Sequence, residues 1–270
     1  MPKNLPEKKS PLKQPPPRQA GASVQDELDE FLWGEMYWWF IMPLLLLVSA
    51  ALMWVMVWLK TPTRTIAWIL TAYFLLSIVL AVYRFYHSRH KIHNLKQGRD
   101  GERVVGHLLE DLRKQGYHVF HDIPNTKKAT FNIDHALVGP AGVFTIETKT
   151  YSKLTAGDKN IRYENNRLTI PGLSREHADK ALTQAKAAAN FIQKHLTKTT
   201  GQKVLVQPIL VFPGWWVNET NTPGDTSLPL WVLNENRISL WINNTPACLS
   251  KQDIRLYTHR LQMHINDCEV

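Results

Sequence analysis

The chain has 270 residues, 44% hydrophobic and 20% charged, enough for one fair-sized domain with an appendage or for two small ones. That balance excludes a polytopic membrane protein, a wholly disordered chain and a collagen-like one. The formal net charge of +9 is unevenly placed: residues 1–83 carry seven basic and six acidic side chains, residues 84–270 twenty-five and seventeen, which favours a polyanionic partner for the second part.

In chain order, six prolines among the first seventeen residues, mixed with Lys3, Lys8, Lys9, Lys13 and Arg18, predict an unstructured tail. With the acidic patch Asp26, Glu27, Asp29, Glu30 and Glu35, this tail is expected to fill residues 1–35. Met36–Leu59 is then 24 residues without a charge, about 36 Å of helix against a hydrocarbon core of about 30 Å. Ile66–Tyr83 is a second uncharged run of 18 residues, and the six residues between the runs allow only a tight turn. The pattern predicts a two-helix transmembrane hairpin over residues 36–83, with Trp38, Trp39, Trp54, Trp58 and Trp68 toward the span ends. A buried soluble helical pair is the competing reading, but neither run has the polar face of a surface helix. Pro43, Ser49, Ala50 and Ala51 offer a surface for helix packing with membrane-protein partners or a second copy.

Arg84, Arg89, Lys91, Lys96 and Arg99 follow the second span, whereas the hairpin loop has only Lys60 and Arg64. The positive-inside rule then puts both termini in the cytoplasm, at the inner membrane. Cys248 and Cys268, the only cysteines and not in a CxxC pair, agree with a reducing compartment and exclude a zinc ribbon. His87, His90 and His93 recur at a spacing that metal ligands use, but in a basic linker over residues 84–97 they read better as a surface touching phospholipid.

Beyond the linker the pattern is α/β. Val104, Val105, Leu108, Leu109 and Leu112 form one stripe of a helix over Gly98–Gly116. Strands are predicted over Tyr117–Ile123, Asn132–Val138 and Val143–Lys149, the last two joined by the turn Gly139-Pro-Ala-Gly142. A hairpin about Asn165-Asn166, an alanine-rich helix over Ala178–Leu196 and an apolar strand over Val204–Phe212 follow. After Pro213 only a short strand at Leu230–Leu233 and a final helix capped by Ser250-Lys-Gln-Asp253 are readable. The order predicts a mixed sheet flanked by helices, with 98–212 as its core and 213–270 as an extension of the same domain.

If residues 139–142 form the turn, Asp134 stands opposite Glu147 on one face, Cβ atoms about 4.5–5.5 Å apart, and Lys149 projects to that face too. Two carboxylates this close repel unless one takes a proton or a cation sits between them. A divalent metal with waters and substrate phosphate completing its shell resolves the conflict, and Lys149 would orient or deprotonate the attacking water. The same three residues on a solvated strand face would be ordinary, and a one-residue slip of register would send Asp134 to the other side.

Gly101-Glu102, the run Phe131-Asn-Ile-Asp134-His and the stretch Gly139-Pro-Ala-Gly-Val-Phe-Thr-Ile-Glu147-Thr-Lys149 together resemble the nuclease-related domain (NERD), placed in the PD-(D/E)xK superfamily of metal-dependent nucleases. The resemblance implies a restriction-endonuclease-like α/β fold and phosphodiester hydrolysis with Mg²⁺ or Mn²⁺. It implies Asp134 and Glu147 as metal ligands, Lys149 as the catalytic lysine, and Glu102 and Gln184 as further site residues. DNA rather than RNA is the expected partner, with Lys127, Lys128, Lys153, Lys159, Arg162 and Arg167 available to phosphate. Two departures touch the expected groove: Lys180-Ala-Leu-Thr183 precedes Gln184 without the usual proline, and the glycine after the lysine is delayed to Gly157. A catalytically inactive nucleic-acid-binding or assembly module on the same fold is the alternative.

Overall fold

The structure, a computed structural model, describes residues 18–126, 131–153, 160–218 and 223–269. Residues 1–17, with Lys3, Lys8, Lys9 and Lys13 of the tail, and Lys127, Lys128, Gly157 and Lys159 lie outside the described residues.

Helix α1 (Ala22–Asp29) runs through a π-helical turn (Glu30–Met36) into α2 (Tyr37–Trp58). A short turn returns the chain as α3 (Arg64–Glu110). The two long helices lie antiparallel. Trp54 donates its indole N–H to the Thr71 hydroxyl at 3.0 Å, the Trp54 and Trp68 rings meet edge-on at 5.0 Å, and Phe40 meets Phe85. Outside this seam Leu44, Leu45, Leu52, Leu75, Leu76 and Val79 are exposed. By length and composition both helices are candidates to cross a membrane.

Two segments differ from the sequence reading. The unstructured tail is expected through residue 35, but residues 18–35 are built into the fold: Arg18 Nη1 and the Ser23 amide donate to Asp122 Oδ2 at 2.8 and 2.9 Å. Arg99 donates to Gln25 at 2.9 Å, and Leu28 is buried. A sequence rich in charge reads as unstructured because its partners lie about a hundred positions away. The linker over residues 84–97 and the helix expected from Gly98 are both parts of the single 47-residue α3, since no proline interrupts the run and its polar residues are compatible with helix.

A 3₁₀ turn (Asp111–Gln115) ends α3 and leads to the strands β1 (His118–Pro124), β2 (Asn132–Gly139) and β3 (Gly142–Thr148). The hairpin β4 (Asn160–Glu164) and β5 (Arg167–Thr169) turns at Asn165 and Asn166, both at positive φ, as a two-residue turn of that hand demands. Helix α4 (Arg175–Thr200), β6 (Val206–Val211), β7 (Trp216–Asn218), β8 (Trp231–Leu233), α5 (Ile238–Asn243) and α6 (Lys251–Glu269) complete the chain. The Ser250–Asp253 capping box forms at the start of α6: Asp253 Oδ2 accepts from the Ser250 hydroxyl and amide, and the Asp253 amide donates back to Ser250 Oγ.

The main sheet has five strands in the order β1-β2-β3-β6-β8; the first two pairings are antiparallel, the last two parallel. A smaller sheet has the order β5-β4-β7. One face of the main sheet packs Leu137, Phe144 and Ile146 against Val105 and Leu109 of α3 and Trp241 of α5. The other packs Ala136, Val138 and Val143 against Ala188 and Ile192 of α4 and Leu261 of α6. The mixed sheet between helical layers is the architecture expected, and β8 draws residues after 213 into it. At the β2–β3 turn, Gly139 faces Gly142 across Pro140-Ala141, and a Cβ on Gly139 would enter the Tyr117 ring. The glycine is required by that approach.

Candidate active site

The β2–β3 pairing sets the site. Val138 faces Val143 and His135 faces Ile146; continued by one residue, the register puts Asp134 opposite Glu147, just where the ladder ends. There Asp134 Oδ2 accepts the Thr148 amide at 2.7 Å. Glu147 is 5% exposed and lies on the side of β3 opposite Phe144 and Ile146. Its Oε1 is 2.7 Å from Lys149 Nζ. The Lys149 amide in turn donates to the Val211 carbonyl at 2.9 Å, which fixes the backbone that carries the amine.

Glu102 reaches the cluster from α3 and is 8% exposed. The helix comes close because Gly101 has no side chain: a Cβ there would overlap the Thr150 hydroxyl and lie 2.8 Å from its methyl. A Gly21 backbone hydrogen bond holds Glu102 from the other side. Three carboxylates thus share one ammonium, and their protonation reflects it. Burial, then the Glu147 and Glu102 charges, push the Asp134 carboxyl well above its ordinary range, against Lys149 and the Thr148 amide. Glu102 is pushed up to about 7 by burial and then by Asp122 and Glu147. Burial works against the charge on Lys149, but Glu147 and Asp134 outweigh it and raise the amine.

The donor chemistry fits a hard divalent cation. Carboxylate oxygens are the ligands Mg²⁺ and Mn²⁺ select, and a dication would offset both the burial and the mutual repulsion that drive Asp134 and Glu102 toward protonation. Among the described residues no three His, Cys, Asp or Glu side chains are grouped as a ready-made metal cage. A shell built on Asp134 and Glu147 alone would need water and phosphate oxygens to complete it, as Mg²⁺ sites with few protein ligands do.

Of the five residues proposed from sequence, the structure brings together Asp134, Glu147, Lys149 and Glu102. Gln184 is half-buried on α4, and among the described residues no hydrogen bond or ion pair joins it to the carboxylates. Lys153 lies 5.7 Å over the Trp215 ring, and Arg162 and Arg167 stand exposed on the β4–β5 hairpin. Trp215 is core, with its indole N–H on the Tyr151 carbonyl at 3.1 Å, whereas Trp216 is 66% exposed. His87, His90 and His93 are exposed on α3 and form no metal group.

Sequence reasoning missed Tyr151, which interacts electrostatically with Lys149 and Glu147 and whose hydroxyl is pushed up by burial. Its position two residues past Lys149 was the available signal. It also missed Asp122, 1% exposed and at positive φ, which bears on Glu102. Nothing local marks that residue.

A mixed sheet carrying acidic side chains and a lysine at a hairpin end defines a candidate hydrolytic site. Residues 97–213 match the family described as the nuclease-related domain, NERD. The match takes in Glu102, Asp134, Glu147 and Lys149, and the resemblance drawn from those motifs is borne out over that stretch. A stretch of 57 residues is 35% identical to an uncharacterized protein of Bacillus anthracis, covering 20% of this chain and 27% of that protein. The match thus spans about a quarter of that relative's length. No solved structure matches the chain.

Proposed function

We propose that the protein is a membrane-anchored, metal-dependent nuclease that hydrolyses phosphodiester bonds of DNA at the cytoplasmic face of the inner membrane. The single observation that carries this reading is the convergence of Asp134, Glu147 and Lys149 at the open end of the β2–β3 ladder, within a nuclease-related domain. Asp134 and Glu147 would hold Mg²⁺ or Mn²⁺, which when bound polarises a phosphoryl oxygen and acidifies water. Lys149, raised by its carboxylate neighbours, stays an ammonium. It orients the attacking water and stabilises negative charge on the phosphate rather than serving as the base. Glu102 closes the cluster from α3, and Gln184 is the further residue assigned to the substrate side.

The anchoring follows from two apolar helices with exposed outer faces, and the orientation from the basic residues after the second span. Glu102 lies 19 residues beyond Tyr83 on α3, roughly 28 Å of helix, which sets the site off the membrane surface. Lipid is therefore a partner of the hairpin and not of the site, and the same hairpin is available to membrane-protein partners or a second copy.

One observation favours a second reading, a nucleic-acid-binding module without turnover: Glu147 is already ion-paired to Lys149. The readings separate on purified full-length protein in detergent, given DNA and RNA oligonucleotides with Mg²⁺ or Mn²⁺. The nuclease cleaves DNA, and Asp134→Asn and Lys149→Ala each lose about a hundredfold or more. Binding without product under every condition establishes the second reading instead.

A further inference from the structure

A cavity of about 770 Å³ opens between α3, β1 and α6, with Arg18–Ala20 forming one wall. None of Asp134, Glu147 and Lys149 lines it. Its titratable lining is almost wholly basic: Arg103, His107, Arg113, His118 and His121 beside Arg18, against the one carboxylate of Glu110. That carboxylate is already committed. Arg113 grips it through Nε and Nη2, and His121 Nε2 is 2.9 Å away. These partners hold Glu110 below the usual carboxylate range, the Arg113 hydrogen bond foremost. His121 is fixed from behind by His135, Nδ1 to Nδ1 at 2.9 Å. Arg18 is spent on Asp122.

What remains is one guanidinium and two imidazoles without a described partner. Arg103 and His107 stand one turn apart on α3 and His118 at the start of β1, all exposed. Among the described residues none of the three makes a hydrogen bond or ion pair. Thr258 lines the far wall from α6, with a buried hydroxyl that no described group satisfies. A guanidinium and imidazoles around a cavity of this size make a receptor for a compact anion with many acceptor oxygens.

We propose that this cavity binds a phosphate group of a nucleotide, free or within a nucleic-acid strand. A lipid headgroup is the wrong source, since Arg103 lies 20 residues past Tyr83, about 30 Å along the helix from the span. Arg103 directly follows Glu102 on α3, and although consecutive helix residues face different ways, a strand that wrapped the helix from the carboxylate cluster would bring its flanking phosphates to the cavity. That use rests on the nuclease reading, whereas phosphate binding itself does not.

The test uses full-length protein in detergent with a metal chelator, so that no cleavage intervenes, and titrates it calorimetrically with AMP and, separately, with a single-stranded DNA oligonucleotide. The double variant Arg103→Ala/His118→Ala, which changes only exposed side chains, is compared with Lys203→Ala. We expect the double variant to weaken binding by about tenfold or more and Lys203→Ala, which removes an exposed cation outside the cavity, to leave binding unchanged. Loss seen with AMP assigns the cavity to free nucleotide; loss seen with the oligonucleotide while AMP fails to bind assigns it to strand phosphate. Wild-type affinity of the double variant for both probes overturns the proposal. Because none of these readouts is cleavage, an inactive enzyme would leave the result standing.

Discussion

Lys149 and Glu147 are two residues apart on one strand end, and the ammonium of the first lies 2.7 Å from Oε1 of the second. Among the described residues this amine is the cation set against three buried or half-buried carboxylates, so its removal leaves negative charge without that compensation. Lys149→Met is expected to cost about 1–3 kcal/mol at pH 8 in chelator and less at pH 5, where the carboxylates take protons. Melting temperatures in detergent at the two pH values check this; an equal loss at both contradicts it.

Glu102 binds its proton up to about pH 7, against 4.5 for an ordinary glutamate. Between those values the folded protein holds a proton that the unfolded chain has released. The contribution to stability is complete below about 4.5 and is lost as pH rises through 7, worth about 3 kcal/mol. Glu102→Gln, permanently uncharged, is expected to flatten the fall in melting temperature between pH 5 and 8. Asp134 is shifted in the same direction, so part of the slope persists. An unaltered slope in Glu102→Gln contradicts the assignment.

The hairpin half of the site was legible because its geometry is local. Gly139 and Gly142 announce the turn, the turn fixes the register, and the register places Asp134 against Glu147 with Lys149 two residues on. The other half depends on α3 and on the segment before α1, which sequence separates from the hairpin. Glu102 was recoverable only by resemblance. Asp122 and Arg18 were not recoverable, because a buried carboxylate and a guanidinium 104 positions away leave no periodic trace. The continuity of α3 was hidden by its composition, since an apolar span and a basic linker read as separate elements although one helix serves both.

Asp122 is 1% exposed and accepts Arg18, the Ser23 amide and Asn132 Nδ2, each within 2.9 Å. Arg18→Ala strips one partner from a buried charge and is expected to cost about 1–3 kcal/mol. Asp122→Asn reduces what Arg18 contributes, so the double variant should lose less than the sum of the two. Additive losses in denaturation experiments contradict the coupling. The same contacts predict that a fragment beginning at residue 97 melts below the full chain.

Gly101→Ala drives a methyl into Thr150, the neighbour of Lys149. It is expected to cost about 1–3 kcal/mol as α3 shifts outward, and Thr150→Ala in the same chain should recover part of that loss. Gly101→Ala with wild-type stability contradicts the close approach.

The most direct measurement is Mn²⁺ binding followed by electron paramagnetic resonance on full-length protein, comparing the wild type with Asp134→Asn/Glu147→Gln. The account predicts one bound ion per chain in the wild type and none at the same concentrations in the double variant. Equal binding by both proteins, or none by the wild type, would contradict it.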